Sequence, residues 1–286
     1  MNNALEVSHL TKDYGSFKLD DVSFTVPGGT IMGLIGENGA GKSTTINCIL
    51  NLLRRDSGTI TVFGRDNLKE ERAVKEQIGV VLDEVLFHNV LQPRQVGKIL
   101  SGIYPNWDMA LFEHYLKKFG LTGNKTVKEA SRGMKMKLSI AAAFAVRPRL
   151  LILDEATSGL DPVVRDEILD EFLAFIQDED HAILISSHIT SDLEKAADYI
   201  TYLHNGRVAL SGPKDELLST YGKLVCSRAQ LEQTDQTLLA GSRVGQFGCE
   251  ALVRDRHAFA RRYPELTVDP ATLEDIMVFT EKGDVQ

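Results

Sequence analysis

Cysteine is scarce: Cys48, Cys226 and Cys249 are the only three in 286 residues. An odd number at those spacings suits neither a zinc site nor a disulfide framework, which leaves reduced thiols with no assigned chemistry. Blocks of Lys and Arg are missing, and the formal net charge is -8. That balance argues against a surface built to coat DNA or RNA, so no nucleic-acid partner is expected. Long hydrophobic runs are missing too: the stretch Leu138 to Val146 falls well short of a bilayer span. Met1 to Asp20 lacks the basic start and apolar run of a signal peptide. The expectation is a cytoplasmic protein, soluble when expressed alone. No internal repeat or low-complexity tract is found, which predicts a single copy of whatever unit the chain encodes.

What is present is ample apolar material, 43% of residues, in a length that fits one large domain plus a small one. The most informative stretch is Gly36-Glu37-Asn38-Gly39-Ala40-Gly41-Lys42-Ser43-Thr44, preceded by the apolar run Thr30 to Ile35 and followed by helical spacing over Thr45 to Leu53. This is strand, glycine loop, helix. A triphosphate needs many donors at close range, and glycine lets backbone N–H groups approach phosphate oxygens without side chains in the way. The following helix start adds aligned dipoles, Lys42 reaches the outer phosphates, and the Ser43 hydroxyl is placed to ligate Mg2+.

Upstream, Leu5 to Leu10 and Phe17 to Val26 alternate as short antiparallel strands around a turn at Asp13-Tyr14-Gly15. An exposed Tyr14 is able to stack on a purine ring; a half-buried strand-end aromatic is the ordinary reading, and the residues alone favour it. Downstream, Gly58 to Gly64 and Ile78 to Leu82 read as strands, with a charged helical stretch from Leu68 to Gln77 between them and Asp83-Glu84 closing the second. From Pro93 to about Glu129 the apolar positions take helical spacing, which predicts an inserted helical subdomain with Trp107 as a packing or interface residue. Ser131 opens a long, mostly buried helix.

Arg149 to Glu155 is a continuous apolar strand ending in two carboxylates. Ligands bind at the carboxyl ends of parallel strands, so Asp154 is predicted beside the phosphate loop, holding Mg2+ through water. Glu155 is then placed to polarise the attacking water; helix-capping acids are the alternative. Ser158 to Pro162 is a turn into a helix reaching about Gln177, and Ala182 to His188 is a further buried strand ending in a histidine. Asp198 to Leu210, with Asn205-Gly206 at its centre, is a hairpin, and Lys214 to Thr220 is a short helix. Beyond Tyr221 the pattern weakens to short apolar runs at Lys223 to Cys226, Cys249 to Val253 and Ala258 to Tyr263, and a helix over Pro270 to Phe279.

Together these motifs resemble the ATP-binding subunit of ABC transporters, over residues 4 to about 220. Gly36 to Thr44 matches the family's Walker A, Leu150 to Asp154 its Walker B with Glu155 as catalytic glutamate, and Ser158 to Asp161 its D-loop. His188 falls on its switch histidine, and Tyr14 on its adenine-stacking aromatic, which reverses the reading from the residues alone. Ser131-Arg132-Gly133-Met134-Lys135 stands where the family has Leu-Ser-Gly-Gly-Gln, keeping the serine and second glycine. Asp83 stands in place of a glutamine that touches Mg2+, with Glu84 beside it as an alternative ligand.

The resemblance implies an α/β P-loop cassette: a mixed sheet core, an antiparallel β subdomain and a helical subdomain at about 92–146. Residues 1–220 form the cassette and 221–286 a small C-terminal α+β unit. It further implies an ATPase motor of an ABC-2-type bacterial exporter, attached to transmembrane subunits on the cytoplasmic face of the membrane. Two cassettes would sandwich ATP and Mg2+, one supplying Lys42, Ser43, Asp154, Glu155 and His188 and the other Ser131, Gly133 and Asp161. The alternatives carried are a non-transport ABC ATPase acting on ribosomes or DNA, and a nucleotide-sensing regulatory subunit.

Overall fold

The computed structural model describes residues 3–84, 86–245 and 248–283. In chain order β1 (Asn3–Asp13), β2 (Lys18–Pro27) and β3 (Ile31–Ile35) lead into α1 (Lys42–Ile49), then β4 (Ser57–Val62), β5 (Arg65–Asp66), α2 (Glu71–Lys75) and β6 (Ile78–Val81). Three helices follow: α3 (Pro93–Leu100), α4 (Met109–Lys118) and α5 (Arg132–Ala145). Next come β7 (Leu150–Asp154), α6 (Pro162–Phe175), β8 (Ala182–Ser186), α7 (Thr190–Ala196), the hairpin β9 (Tyr199–His204) and β10 (Arg207–Pro213), and α8 (Lys214–Thr220). The remainder is β11 (Gly222–Cys226), α9 (Arg228–Gln233), β12 (Leu239–Val244), β13 (Cys249–Val253), α10 (Arg256–Arg262), β14 (Val268–Pro270) and α11 (Leu273–Gly283).

The central sheet has the order β10-β9-β3-β8-β7-β6. Its five strands β9, β3, β8, β7 and β6 are parallel, and β10 closes one edge antiparallel to β9. Strands β3, β7 and β8 are buried along their whole length, which is why they read as unbroken apolar runs. A second, antiparallel sheet β2-β1-β4-β5 covers one side; β2 alternates buried and exposed residues because only one of its faces meets the core. The hairpin turn uses Asn205 and Gly206, both at positive φ, as the right-handed twist of its strands requires.

Helices α3 to α5 lie in sequence between β6 and β7. Asp108 caps α4, accepting from Leu111 N–H at 2.8 Å, and takes Arg147 from the far end of α5, so one carboxylate ties the two helices together. Trp107 packs its ring 5.1 Å from Phe112. The helical stretch predicted over Leu68 to Gln77 is shorter, Glu71–Lys75, because Asp66 accepts from the N–H groups of Leu68 and Lys69 and holds that segment in a turn. Likewise Pro93 to Glu129 is not evenly helical: the chain leaves α3 after Leu100 and re-enters at Met109.

The C-terminal residues form a third sheet, β12-β13-β11-β14. Leu224, Ala251, Val253 and Phe259 make its own small core. On the other side, Leu273, Ile276 and Phe279 of α11 join the main core. Residues 284–286, the end of the accessory unit, lie outside the described residues.

Candidate active site

The loop after β3 turns into α1 through backbone shapes that only glycine takes without strain. Gly41 precedes the helix at φ +109°, and a Cβ on Gly36 would lie 2.4 Å from the carbonyl oxygen of Leu203. Lys42 is the first residue of α1 and is buried, its Nζ donating to the carbonyls of Gly36 at 2.7 Å and Glu37 at 3.2 Å. The ammonium therefore lies back across its own loop, 3.9 Å from Glu155 Oε1.

Across the loop stand the acids of β7. Asp154 is the last residue of the strand and almost wholly buried, its Oδ1 taking the Ser186 hydroxyl at 2.5 Å. Glu155 follows in the left-handed region, φ 53°, a strained backbone for a residue with a Cβ. Its N–H donates to the Ser186 carbonyl at 3.2 Å and the Ser186 hydroxyl oxygen at 3.1 Å, which hold the turn. Its side chain meets His188 Nδ1 at 2.6 Å. One carboxylate thus spans Lys42 and His188.

Gly41, Lys42, Asp154, Glu155 and His188 line one cavity of about 600 Å³, together with Asn38, Gly39, Ser43, Thr44, Asp83 and Ser158. Gly36 and Ala40 belong to the loop but do not line it. Tyr14 does not line it either: it stands half exposed at the β1–β2 turn with the Lys12 ammonium 5.6 Å over its ring, while Phe17 is the aromatic on the cavity wall. Ser131, Gly133 and Asp161 are also outside the lining. Ser131 caps α5, accepting from Met134 N–H, and Asp161 caps α6, accepting from Val164 N–H at 3.1 Å. A Cβ on Gly133 would lie 3.8 Å from both Leu160 and Val164, so the start of α5 packs beside the turn that leads into α6.

A carboxylate at Glu155, a cation at Lys42 and a glycine loop leading into a helix start share one cavity, a set of groups suited to holding a polyphosphate. The sequence profile of the family described as "ABC transporter" matches residues 19–158. The chain is 34% identical over 221 residues to the ABC transporter ATP-binding protein YtrB of Bacillus subtilis, covering 77% of this chain and 75% of that one. The chain belongs to the ABC transporter family. It is an ATP-binding cassette and an ATPase. The bacitracin transport ATP-binding protein BcrA of Bacillus licheniformis is 35% identical over 220 residues, covering 76% of this chain and 72% of that one. Among solved structures, an ATP-binding subunit of an ABC transporter superposes with a TM-score of 0.68 at 31% identity, over 75% of this chain and 91% of that one.

Two cassette residues that sequence reasoning passed over matter here. Ser186 reads in the sequence only as part of a strand, yet it contacts both Asp154 and the Glu155 backbone; a hydroxyl at the end of an otherwise apolar strand is the available signal. Arg132 reads in the sequence only as a departure from the signature motif, and the structure puts its Nη2 2.8 Å from Asp83 Oδ1.

Proposed function

We infer that this cassette is the motor of a membrane exporter, working as a pair of cassettes with ATP held between them. The observation that carries the reading is a second groove of about 820 Å³, on the side of the cassette between α2, β6 and α3. Leu86, Ile103 and Leu52 stand 78%, 65% and 63% exposed along it, flanked by Glu71, Arg72, Lys75 and Glu84. An apolar floor with a charged rim suits a helix from a partner protein. The groove begins at Leu82 and Glu84, either side of the Asp83 that lines the nucleotide cavity, so both sites share one loop.

No helix among the described residues is long and apolar enough to cross a membrane; the transmembrane path is proposed to lie in a separate subunit, as the transport names of the relatives suggest. We place the chain at the cytoplasmic face, held there through the groove. Residues 1–220 are the cassette and 221–286 an accessory unit. BcrA carries bacitracin transport in its name; an amphipathic antibiotic-like molecule is the cargo class proposed here.

Magnesium fits the site: the Ser43 hydroxyl and the Asp154 carboxylate are hard oxygen donors on one cavity wall, with Asp83 at the edge. That sparse set, completed by phosphate and water, is how the ion is usually held, and it would neutralise charge on the phosphates. Glu155 orients the water and accepts its proton, His188 holds the carboxylate, and Lys42 leaves its loop carbonyls for the outer phosphates. Tyr14, half exposed upstream with Lys12 over its ring, is the residue proposed to stack on the adenine ring. From the second cassette, Ser131 and Gly133 face the terminal phosphate and Asp161 the far loop.

Two measurements test this. Glu155→Gln is expected to keep ATP affinity, lower phosphate release by at least about 100-fold and trap a dimer; unaltered release removes Glu155 from its role. Tagged chain recovered from gently solubilised native membranes is expected to bring down a polytopic membrane protein in matching amounts. Recovery only with ribosomes or DNA would refute the exporter reading.

A further inference from the structure

Two charges packed behind the active site have no part in the chemistry above. Arg165 on α6 and Asp192 in the first turn of α7 face each other with side chains 24% and 5% exposed, Nη1 standing 3.6 Å from Oδ1. The pairing is incomplete. Arg165 Nε and Asp192 Oδ2 are both buried without a hydrogen-bond partner among the described residues. A buried ion pair that leaves a donor and an acceptor unmade recovers little of what its desolvation costs, so stability is a poor reason for its presence. The guanidinium does make one directional bond: Nη2 donates to the Leu160 carbonyl, in the D-loop, at 3.2 Å.

These contacts close a ring around Glu155. Its Oε2 meets His188 Nδ1 at 2.6 Å, and α7 starts two residues after that histidine. Asp192 carries the path from α7 to Arg165, and Arg165 carries it to the Leu160 carbonyl. Leu160 N–H donates to the Thr157 carbonyl at 3.4 Å and Ser158 N–H to the Glu155 carbonyl at 3.0 Å, which returns the path to its start. The His188 side chain is half exposed, so its ring owes its place to Glu155 and to the backbone turn beneath it. We propose that Arg165 is a positioning residue: from behind the cavity it fixes the D-loop against the turn that carries His188, and so holds the Glu155–His188 pair at hydrogen-bonding length. This rests on the reading of Glu155 and His188 as the groups that activate the attacking water. A second pair, Lys195 with Asp166, joins the same two helices at the surface without reaching the Leu160 carbonyl, and is the natural control.

The test uses the full chain and three readouts: proton NMR with nitrogen-labelled histidine, phosphate release across an ATP titration, and thermal unfolding. A short bond from an imidazole to a carboxylate moves its proton far downfield, and His188→Gln assigns that signal. Replacing the pair by Arg165→Met together with Asp192→Val is expected to keep or raise the thermal midpoint and to shift or broaden the His188 signal. The same replacement is expected to lower kcat about 10- to 100-fold while KM for ATP moves less than about 2-fold. Arg165→Lys leaves Asp192 with a charge partner and so guards against misfolding. Without the fork it cannot hold carboxylate and carbonyl together, and a loss of at least about threefold in kcat is expected. Lys195→Ala is expected to leave signal and rate as in the parent. Parental signal and rate in the paired replacement or in Arg165→Lys would overturn the proposal, and so would an equal loss in Lys195→Ala, which would assign the effect to helix packing in general. His188→Gln releasing phosphate at the parental rate would instead overturn the reading of the water-activating pair, while the proton signal, which needs no turnover, still reports whether Arg165 positions it.

Discussion

Ser186 shows how much a single small side chain arranges. Its hydroxyl donates to Asp154 Oδ1 and accepts from Glu155 N–H, so the acid read as a metal ligand and the acid read as the water-orienting base take their positions from one atom. Glu155 lies in the left-handed region, which costs on the order of 1 kcal/mol and persists only where its surroundings enforce it. Ser186→Ala removes one donor and one acceptor from a buried place. It is expected to lower ATP turnover about 10- to 100-fold and to raise the magnesium concentration needed for half-maximal rate, with ATP binding measured without magnesium little changed. A rate within twofold of the parent, at low and high magnesium alike, would show that the strand alone positions the acids.

At the scale of elements, α11 decides whether the C-terminal sheet belongs to the cassette. Its start is capped by Asp275, which accepts from Thr272 N–H at 3.1 Å and from the Thr272 hydroxyl at 2.8 Å. Lys223 on β11 donates to the other carboxylate oxygen at 2.8 Å, and Glu194 of α7 accepts from Leu273 N–H at 2.7 Å. Burial pushes the Asp275 carboxyl up, but the Lys223 ammonium and the Thr272 donors outweigh it and hold it below the usual carboxylate range. The bond to Asp275 raises Lys223, against burial. A depressed acid stabilises the fold above its unfolded value and loses that contribution as pH falls through the folded one; a raised lysine stabilises below its unfolded value and loses it as pH rises through the folded one. The tie is therefore fully present between about pH 4 and about pH 10. Asp275→Ala is expected to cost about 1 to 2 kcal/mol at pH 7, read from urea melts, and the gap from the parent should shrink below about pH 4. A gap independent of pH would assign the loss to packing.

At the scale of the whole molecule, two surfaces meet at one loop. Leu82 and Glu84 belong to the apolar groove and Asp83 to the nucleotide cavity, so a partner seated in the groove would touch the two residues that flank Asp83. Ile103→Glu puts a charge on the groove floor away from the nucleotide. It is expected to lower recovery of the membrane partner with the tagged chain by at least about tenfold. Undiminished recovery would place the membrane contact elsewhere.

How much of this was legible before the structure depended on sequence distance. The phosphate loop, the acids ending β7 and the Asn205-Gly206 hairpin are local, since strand, turn chemistry and helix start lie within a few residues of one another. The short α2 was less legible, because Asp66 captures the backbone that the apolar spacing assigned to a helix. In the C-terminal unit α9 and β12 went unread. Each is only six residues long, and β12 is mostly exposed along an edge of its sheet, so it lacks the apolar signature of a buried strand.

By itself, then, the sequence determined which chemistry the chain carries, because a phosphate cradle and a pair of strand-end acids are written in contiguous residues. Only the tertiary structure decided which of them share a cavity, that Phe17 and not Tyr14 lies on its wall, that Ser186 serves both acids, and that Arg132 reaches Asp83 across 49 residues. Those are meetings between segments brought together by sheet order and helix packing, and no local pattern encodes them.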